Sequence, residues 1–278
     1  MANSPDKLPH VQLSSEWVTY YEQNARELRE IPWETGAGTS DEELATISAS
    51  LRGWQLGETS DGSHLLAAAK HYAITINDPE FIDAVRLFIA EEQRHGGDLG
   101  KFLDLAGIKR AESDWGDTLF RKIRYAFPRM EVWATPVVMV ETHAMVYYNA
   151  LRRATKSPVL RRICEQILAD EVAHIRFQCE RLAILHRRRS KLLLQLTMVF
   201  HRIAFTAITI AVWVGHRKVL RAGGYNFHRF WRAVWGKMRF AWRLMSPDRY
   251  QWDRQSIGQH SISTAALTKF RPSHKQID

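Results

Sequence analysis

The sequence predicts an all-α protein: four long helices forming two antiparallel hairpins, joined by one long crossover and followed by a C-terminal helical extension. Three observations lead to this. Apolar residues recur at three- and four-residue steps through four separate stretches. Capping residues sit where those stretches begin and end. The intervals between the stretches are short, long and short in that order, so the first two and the last two stretches pair as hairpins.

Residues 1–40 read as a polar start, a short aromatic helix carrying Trp17, Tyr20 and Tyr21, and a Gly/Thr/Ser link. Ser40 with Glu43 is a capping-box signal, and the stripe after it runs Ile47, Leu51, Trp54, Leu65, Ala69 and Tyr72, with Glu58 in the same stripe. The spacing predicts one helix across all of these positions. Asp78-Pro79 predicts the next start, with the acid as N-cap and proline at the first helical position. Its stripe is Phe81, Val85, Phe88, Glu92, His95, Leu99 and Phe102, closing at Gly107. About twenty residues follow, with a short helix expected at 117–127.

The third long helix is expected from about Arg129 to Arg153, with Val137, Glu141, Met145 and Tyr148 inward and Pro136 as a point of kinking. Ser157-Pro158 starts the fourth, whose inward positions are Leu160, Ile163 or Cys164, Ile167, Glu171, His174, Gln178 and Arg181. The bundle is thus expected over 41–188, a basic and aromatic extension over 189–250, and a disordered tail over 251–278.

Two Glu-x-x-His pairs, Glu92/His95 and Glu171/His174, lie in these stripes. Roughly one such pair is expected by chance in a chain of this composition, so one match alone carries little. Here both pairs face inward, and each follows a lone inward Glu (Glu58 and Glu141) by about one hairpin. At 1.5 Å per residue all four carboxylates reach about the same height. Residues at i and i+3 share a helix face, so each pair can serve one metal ion, and the lone Glu residues can bridge or cap the ions. Four carboxylates neutralise two divalent cations, and a carboxylate-rich, imidazole-poor donor set suits iron, or alternatively manganese, better than zinc. Four buried glutamates without metal would be a costly core.

Supporting residues are also readable. Asp170 and Glu91 each precede a pair and can turn to a neighbouring helix to accept a ligand histidine N–H. For Asp170 that role and a solvated position are both open, while Glu91 reads rather as a surface acid. Tyr148, two turns past Glu141, reads as a core tyrosine that can also line a pocket. His143 points away from Glu141, and Cys164 reads as a small core residue.

The pattern Glu58 … Glu92-x-x-His95 … Glu141 … Asp170-Glu171-x-x-His174 resembles the ferritin-like di-iron carboxylate superfamily over roughly residues 40–186. That group includes rubrerythrins, bacterial multicomponent monooxygenases, the small subunit of aerobic ribonucleotide reductase and membrane-associated quinone-modifying oxidases. The resemblance implies a ferritin-like four-helix bundle holding two iron ions, and an ability to activate O₂ or peroxide. Three departures remove the narrower labels. Leu99 stands where the reductase subunit has its radical tyrosine, Met145 where the monooxygenases have a threonine, and two isolated cysteines cannot build a rubredoxin centre. The reading is therefore an O₂-activating oxidase or oxygenase of an organic substrate that the sequence does not identify. The other readings are an iron-handling or peroxide-scavenging protein, and a scaffold with a structural metal.

Charge is uneven. Between Arg187 and Arg249 there are fourteen Lys/Arg and one acid, a net +13, against a chain total of +9; the rest of the chain is mildly acidic. Residues 192–214 are apolar on most sides, but Arg202 in the middle argues against a simple span. The expected roles are a fifth helix packed on the bundle or in a homodimer interface, or a shallow membrane insertion. The helix after Gly223-Gly224, with Phe230, Trp231, Trp235 and Trp242 among arginines, suits an anionic membrane surface, RNA or an acidic carrier protein, and reads equally as a capping helix with a solvated basic face, so residues 187–249 carry all of these readings. With no apolar leader at the start and only Cys164 and Cys179, the expected setting is cytoplasmic, with the inner face of a membrane as a second placement.

Overall fold

The computed structural model describes residues 8–59, 61–113 and 130–252, and their regular structure is helical, without strands. In chain order the helices are α1 (Ser14–Arg26), α2 (Asp41–Glu58), α3 (Ser63–Ile76), α4 (Glu80–Leu105), α5 (Met130–Ala154), α6 (Pro158–His186), α7 (Lys191–Ala222) and α8 (Phe227–Leu244). The helix expected at 117–127 lies outside the described residues, as does the expected 251–278 tail beyond Trp252; its first two residues are ordered, with Gln251 N donating to Pro9 O at 3.0 Å and Trp252 Nε1 to Pro247 O at 2.9 Å.

Most ends form as their sequence dictates. Ser40 Oγ accepts from Glu43 N at 3.2 Å, although the Glu43 carboxylate does not return to close the box. It binds Lys156 N and the Thr155 hydroxyl instead, tying the start of α2 to the turn before α6. Ser157 caps α6 through Leu160 N with Pro158 in its first turn, Ser190 caps α7, and Asn226 caps α8. α5 continues through Pro136.

Two expectations are corrected. The stretch expected as one helix from Ser40 to Tyr72 is two, α2 and α3, because the chain breaks just after Glu58. Asp61 Oδ1 accepts from Ser63 N and Oγ, and Gly62 turns at φ +68, where a Cβ would meet Ile89 Cγ2 at 2.5 Å. Asp78 does not cap α4, whose N-cap is Pro79; its carboxylate accepts from Ser14 Oγ at 2.7 Å and so anchors α1.

α2 and α3 both pack on α4, α5 packs along α6, and α4 meets α6 while α3 meets α5. α1 lies on α4, α7 covers α5 and α2, and α8 bridges α5, α6 and α7. Three apolar clusters result. One, with Trp17, Tyr21, Tyr72, Phe81, Phe88 and Phe177, sits under α1 and α3. A second, with Leu51, Trp54, Leu99, Phe102, Tyr147, Tyr148 and Ile163, fills the space between α2, α4, α5 and α6. The third joins α5 and α6 to α7 and α8 through Met139, Ile175, Phe205, Phe230 and Met238. Burying a side chain such as Phe81 or Phe102 contributes about 2–3 kcal/mol, and the buried carboxylates must be tolerated against that gain.

Candidate metal centre

Between the first two clusters the helices bring together all six residues expected as ligands. Glu92, Glu141, Glu171 and His174 form one group and Glu58, Glu92 and His95 another, with one donor atom from each residue inside 4.8 Å of the others in its group. Glu92 is common to both groups, so the shared carboxylate comes from a Glu-x-x-His pair rather than from a lone Glu. Glu58 closes α2, and Gly96 of α4 lets that end approach: a Cβ on Gly96 would lie 3.0 Å from Glu58 C and 2.8 Å from Thr59 Cγ2.

The histidines are held from behind by carboxylates of the opposite helix. His95 Nε2 on α4 is 2.9 Å from Asp170 Oδ2 on α6, and His174 Nε2 on α6 is 2.9 Å from Glu91 Oε2 on α4. Each Nε2–H donates outward, leaving Nδ1 turned into the cluster. Asp170 thus takes the supporting role. Glu91 is corrected from a surface acid to a buried one, because α1 covers that face of α4. Asn24 of α1 donates to Glu91 Oε1 at 2.6 Å and to Asp170 Oδ1 at 2.9 Å, locking the two carboxylates together. Arg94 and Gln166 also donate to Asp170, at 2.6 and 2.9 Å. Sequence reasoning missed these three. For Asn24 a signal existed, since it follows Trp17 and Tyr21 at helical spacing on one face of α1.

Inside the cluster, polar atoms converge without hydrogen-bond partners. His95 Nδ1, both oxygens of Glu141 and Glu171 Oε2 have none. His174 Nδ1 stands 2.8 Å from Glu92 Oε1 and 3.7 Å from Glu171 Oε2, but neither Nδ1 nor Glu92 Oε1 has an aligned partner. Buried polar groups are normally satisfied, so inward-aimed donor atoms of this kind fit a set that cations complete. Tyr148, expected as a core tyrosine, is buried and also donates to Glu58 Oε1 at 2.7 Å. His143 does point away, with Nδ1 on Met139 O and Nε2 on Thr209 Oγ1, and burial lowers it to about 4.

The electrostatics are those of a crowded anionic core. Burial first, then the charges of Glu92 and Glu171, pushes Glu58 well above the usual carboxylate range. Burial and Glu171 do the same to Glu141, and burial raises Glu171. Glu92 goes the other way: burial opposes its charge, but the His174 imidazole, its Nδ1 2.8 Å from Oε1, and the charge of His95 hold it down to about 2. Burial works against a charged His174, yet Glu171, Glu91 and Glu92 together keep it protonated well above the usual imidazole range. Asp170 lies below its usual range because His95, Asn24 and Arg94 outweigh its burial. The cluster thus takes positive charge from protons on its own side chains, at atoms where divalent cations could supply it instead. Glu92 has the most exposed side chain of the four glutamates, at 24 %, although its Oε1 is itself buried.

Comparison with protein families, with curated proteins and with solved structures gives no match to this chain.

Proposed function

We propose that this chain is a ferritin-like, non-heme di-iron protein that activates O₂ to oxidise an organic substrate. The observation that carries this reading is the reciprocal support of the two histidines, His95 by Asp170 and His174 by Glu91, which aims both Nδ1 atoms at four converging glutamates. Glu58 and His95 would hold one ion and Glu141, Glu171 and His174 the other, with Glu92 between them. Two iron ions so held supply the electrons that reduce O₂. The protein's own part is to hold the donors, to seal them between apolar clusters, and to keep a proton on Tyr148 Oη at Glu58. Solvent and small reactants would enter beside Glu92.

The test is anaerobic ferrous loading of metal-free protein, followed by metal analysis and O₂ uptake. Two irons per chain and rapid O₂ consumption are expected, both lost in Glu92→Ala and Glu171→Ala. Uptake far beyond two irons would instead indicate iron handling, and peroxide turnover without an organic substrate would indicate scavenging. A tightly loaded but redox-silent protein would reduce the metal to a structural part. Metal analysis of protein from its native host decides iron against manganese.

A further inference from the structure

α7 is long and apolar enough to cross a membrane by length and composition, yet only 17 % of its most apolar stretch is buried. Its inner face packs through His201, Phe205, Thr209, Val219 and Leu220. The opposite face carries Leu192, Leu196, Phe200, Ile203, Ile210 and Val214, all exposed, with Phe200 at 67 % and Ile203 at 66 %. At about 100° per residue these six fall within a single arc of roughly 80°, in a stripe about 33 Å long. Isolated exposed leucines need no explanation, but a contiguous stripe of this size does.

Both ends of the stripe are basic. Arg187, Arg188 and Lys191 are exposed at its start, and Arg217, Lys218 and Arg221 at its end. The chain carries no acid from Arg187 to Pro247. Arg202 leaves the stripe sideways, its guanidinium 5.8 Å from the Trp242 ring.

We infer that the outer face of α7 docks on an anionic lipid bilayer, with the helix lying in the plane of the interface and the apolar stripe entering the headgroup boundary. An apolar face framed by Lys and Arg is the pattern of interfacial helices, whose apolar side sinks about 5–10 Å. A second copy of the chain fits this face poorly. In either relative orientation two α7 helices would set basic ends against basic ends, and like charges across an interface oppose association. Nucleic acid fits poorly too, because the stripe is aliphatic apart from Phe200 and offers no series of rings for base stacking. Spanning is excluded by the packed inner face, where Thr209 is buried against His143. The inference stands whether or not the metal site is loaded.

Flotation of the full chain with vesicles tests it, using phosphatidylcholine alone and phosphatidylcholine mixed with phosphatidylglycerol. Binding is expected only to the mixed vesicles, and it should weaken as salt is raised. Phe200→Glu combined with Ile203→Glu alters exposed positions, so the melting temperature should hold while partition falls at least about tenfold. Arg217→Gln combined with Lys218→Gln should lower partition roughly fivefold per residue while sparing the fold. A polarity-sensitive dye on Phe200→Cys should shift to the blue with anionic vesicles. Equal binding to neutral vesicles, or no binding to anionic ones, overturns the inference. So does a soluble dimer that Phe200→Glu dissociates, or RNA binding that competes with vesicles for this face.

Discussion

Replacing Asp170 by Asn tests how the two proposed metal sites are divided, because the substitution keeps shape and removes one acceptor oxygen. Asp170 Oδ2 receives His95 Nε2 and Arg94, while Oδ1 receives Asn24 and Gln166. An asparagine has one oxygen and one NH₂, so either rotamer sets a donor against two donors and strands them. With the NH₂ turned to His95 and Arg94, His95 loses the partner that keeps its proton on Nε2, and the tautomer with Nδ1 protonated cannot bind a cation; with it turned to Asn24 and Gln166, the tie to Glu91 is lost instead. Loss of such outer support lowers metal affinity by roughly 10- to 100-fold, or about 1.4–2.8 kcal/mol. Glu91→Gln is the matched change on the other side, and there only His174 and Asn24 are affected among the hydrogen bonds. Asp170→Asn should therefore fall near the upper end and Glu91→Gln nearer the lower. Anaerobic titration with Co²⁺ or Fe²⁺, followed spectroscopically, resolves the two binding steps. Asp170→Asn should weaken the step that depends on Glu58, and Glu91→Gln the step that depends on Glu141. If both variants bind two ions as tightly as wild type, or both weaken the same step, the reciprocal arrangement does not govern metal binding.

Three further outcomes are expected. The metal-free protein should lose stability as pH rises from about 5 to 8. Glu58 and Glu141 hold protons above their usual 4.5 and His174 above 6.5, which outnumber the one proton that His143, lowered to about 4, leaves off below 6.5, so the folded state binds more protons than the unfolded one in that window; a melting temperature that climbs with pH in chelator would contradict this. Gly96→Ala should push the end of α2 off α4, costing about 1–3 kcal/mol of stability and weakening the ion at Glu58; unchanged melting and unchanged metal affinity would show that the close approach is immaterial. Cys164 and Cys179 are buried, and burial raises both thiols, so neither should react with a disulfide reagent until the chain is unfolded; fast labelling of the native protein would refute their placement.

The parts of the fold that were readable are those set by local chemistry. Ser157 and Pro158 fix the start of α6 whatever surrounds it, and the α4 stripe from Phe81 to Phe102 buries as its period requires. The break after Glu58 was hidden by arithmetic. Trp54 and Leu65 are eleven residues apart, just over three full turns, so a helix and an interrupted helix put them on the same face. Asp61-Gly62 is the local sign of the break, and the apolar period runs straight across it. α7 shows the converse limit. Its composition is apolar on most sides, and only packing against α5, α2 and α8 selects which face is covered.

The candidate ligand set was legible because Glu and His in an apolar stripe must point inward. Its support was not, because a residue one position before a ligand points about 100° away, toward a face whose burial depends on another element. For Glu91 and Asp170 that element is α1, and Asn24 reaches both. The aromatic N-terminal helix is therefore a wall of the site rather than an appendage. Trp17 and Tyr21 bury against Phe177, and Tyr21 lies 6.2 Å from the His174 ring. On the proposed function this has a consequence for metal entry. With α1 closing one side and the apolar clusters the ends, Glu92 has the side chain most open to solvent and is the one of the four held most firmly ionised. It would meet a cation first, while Glu58 and Glu141 still carry the protons that the arriving charge displaces.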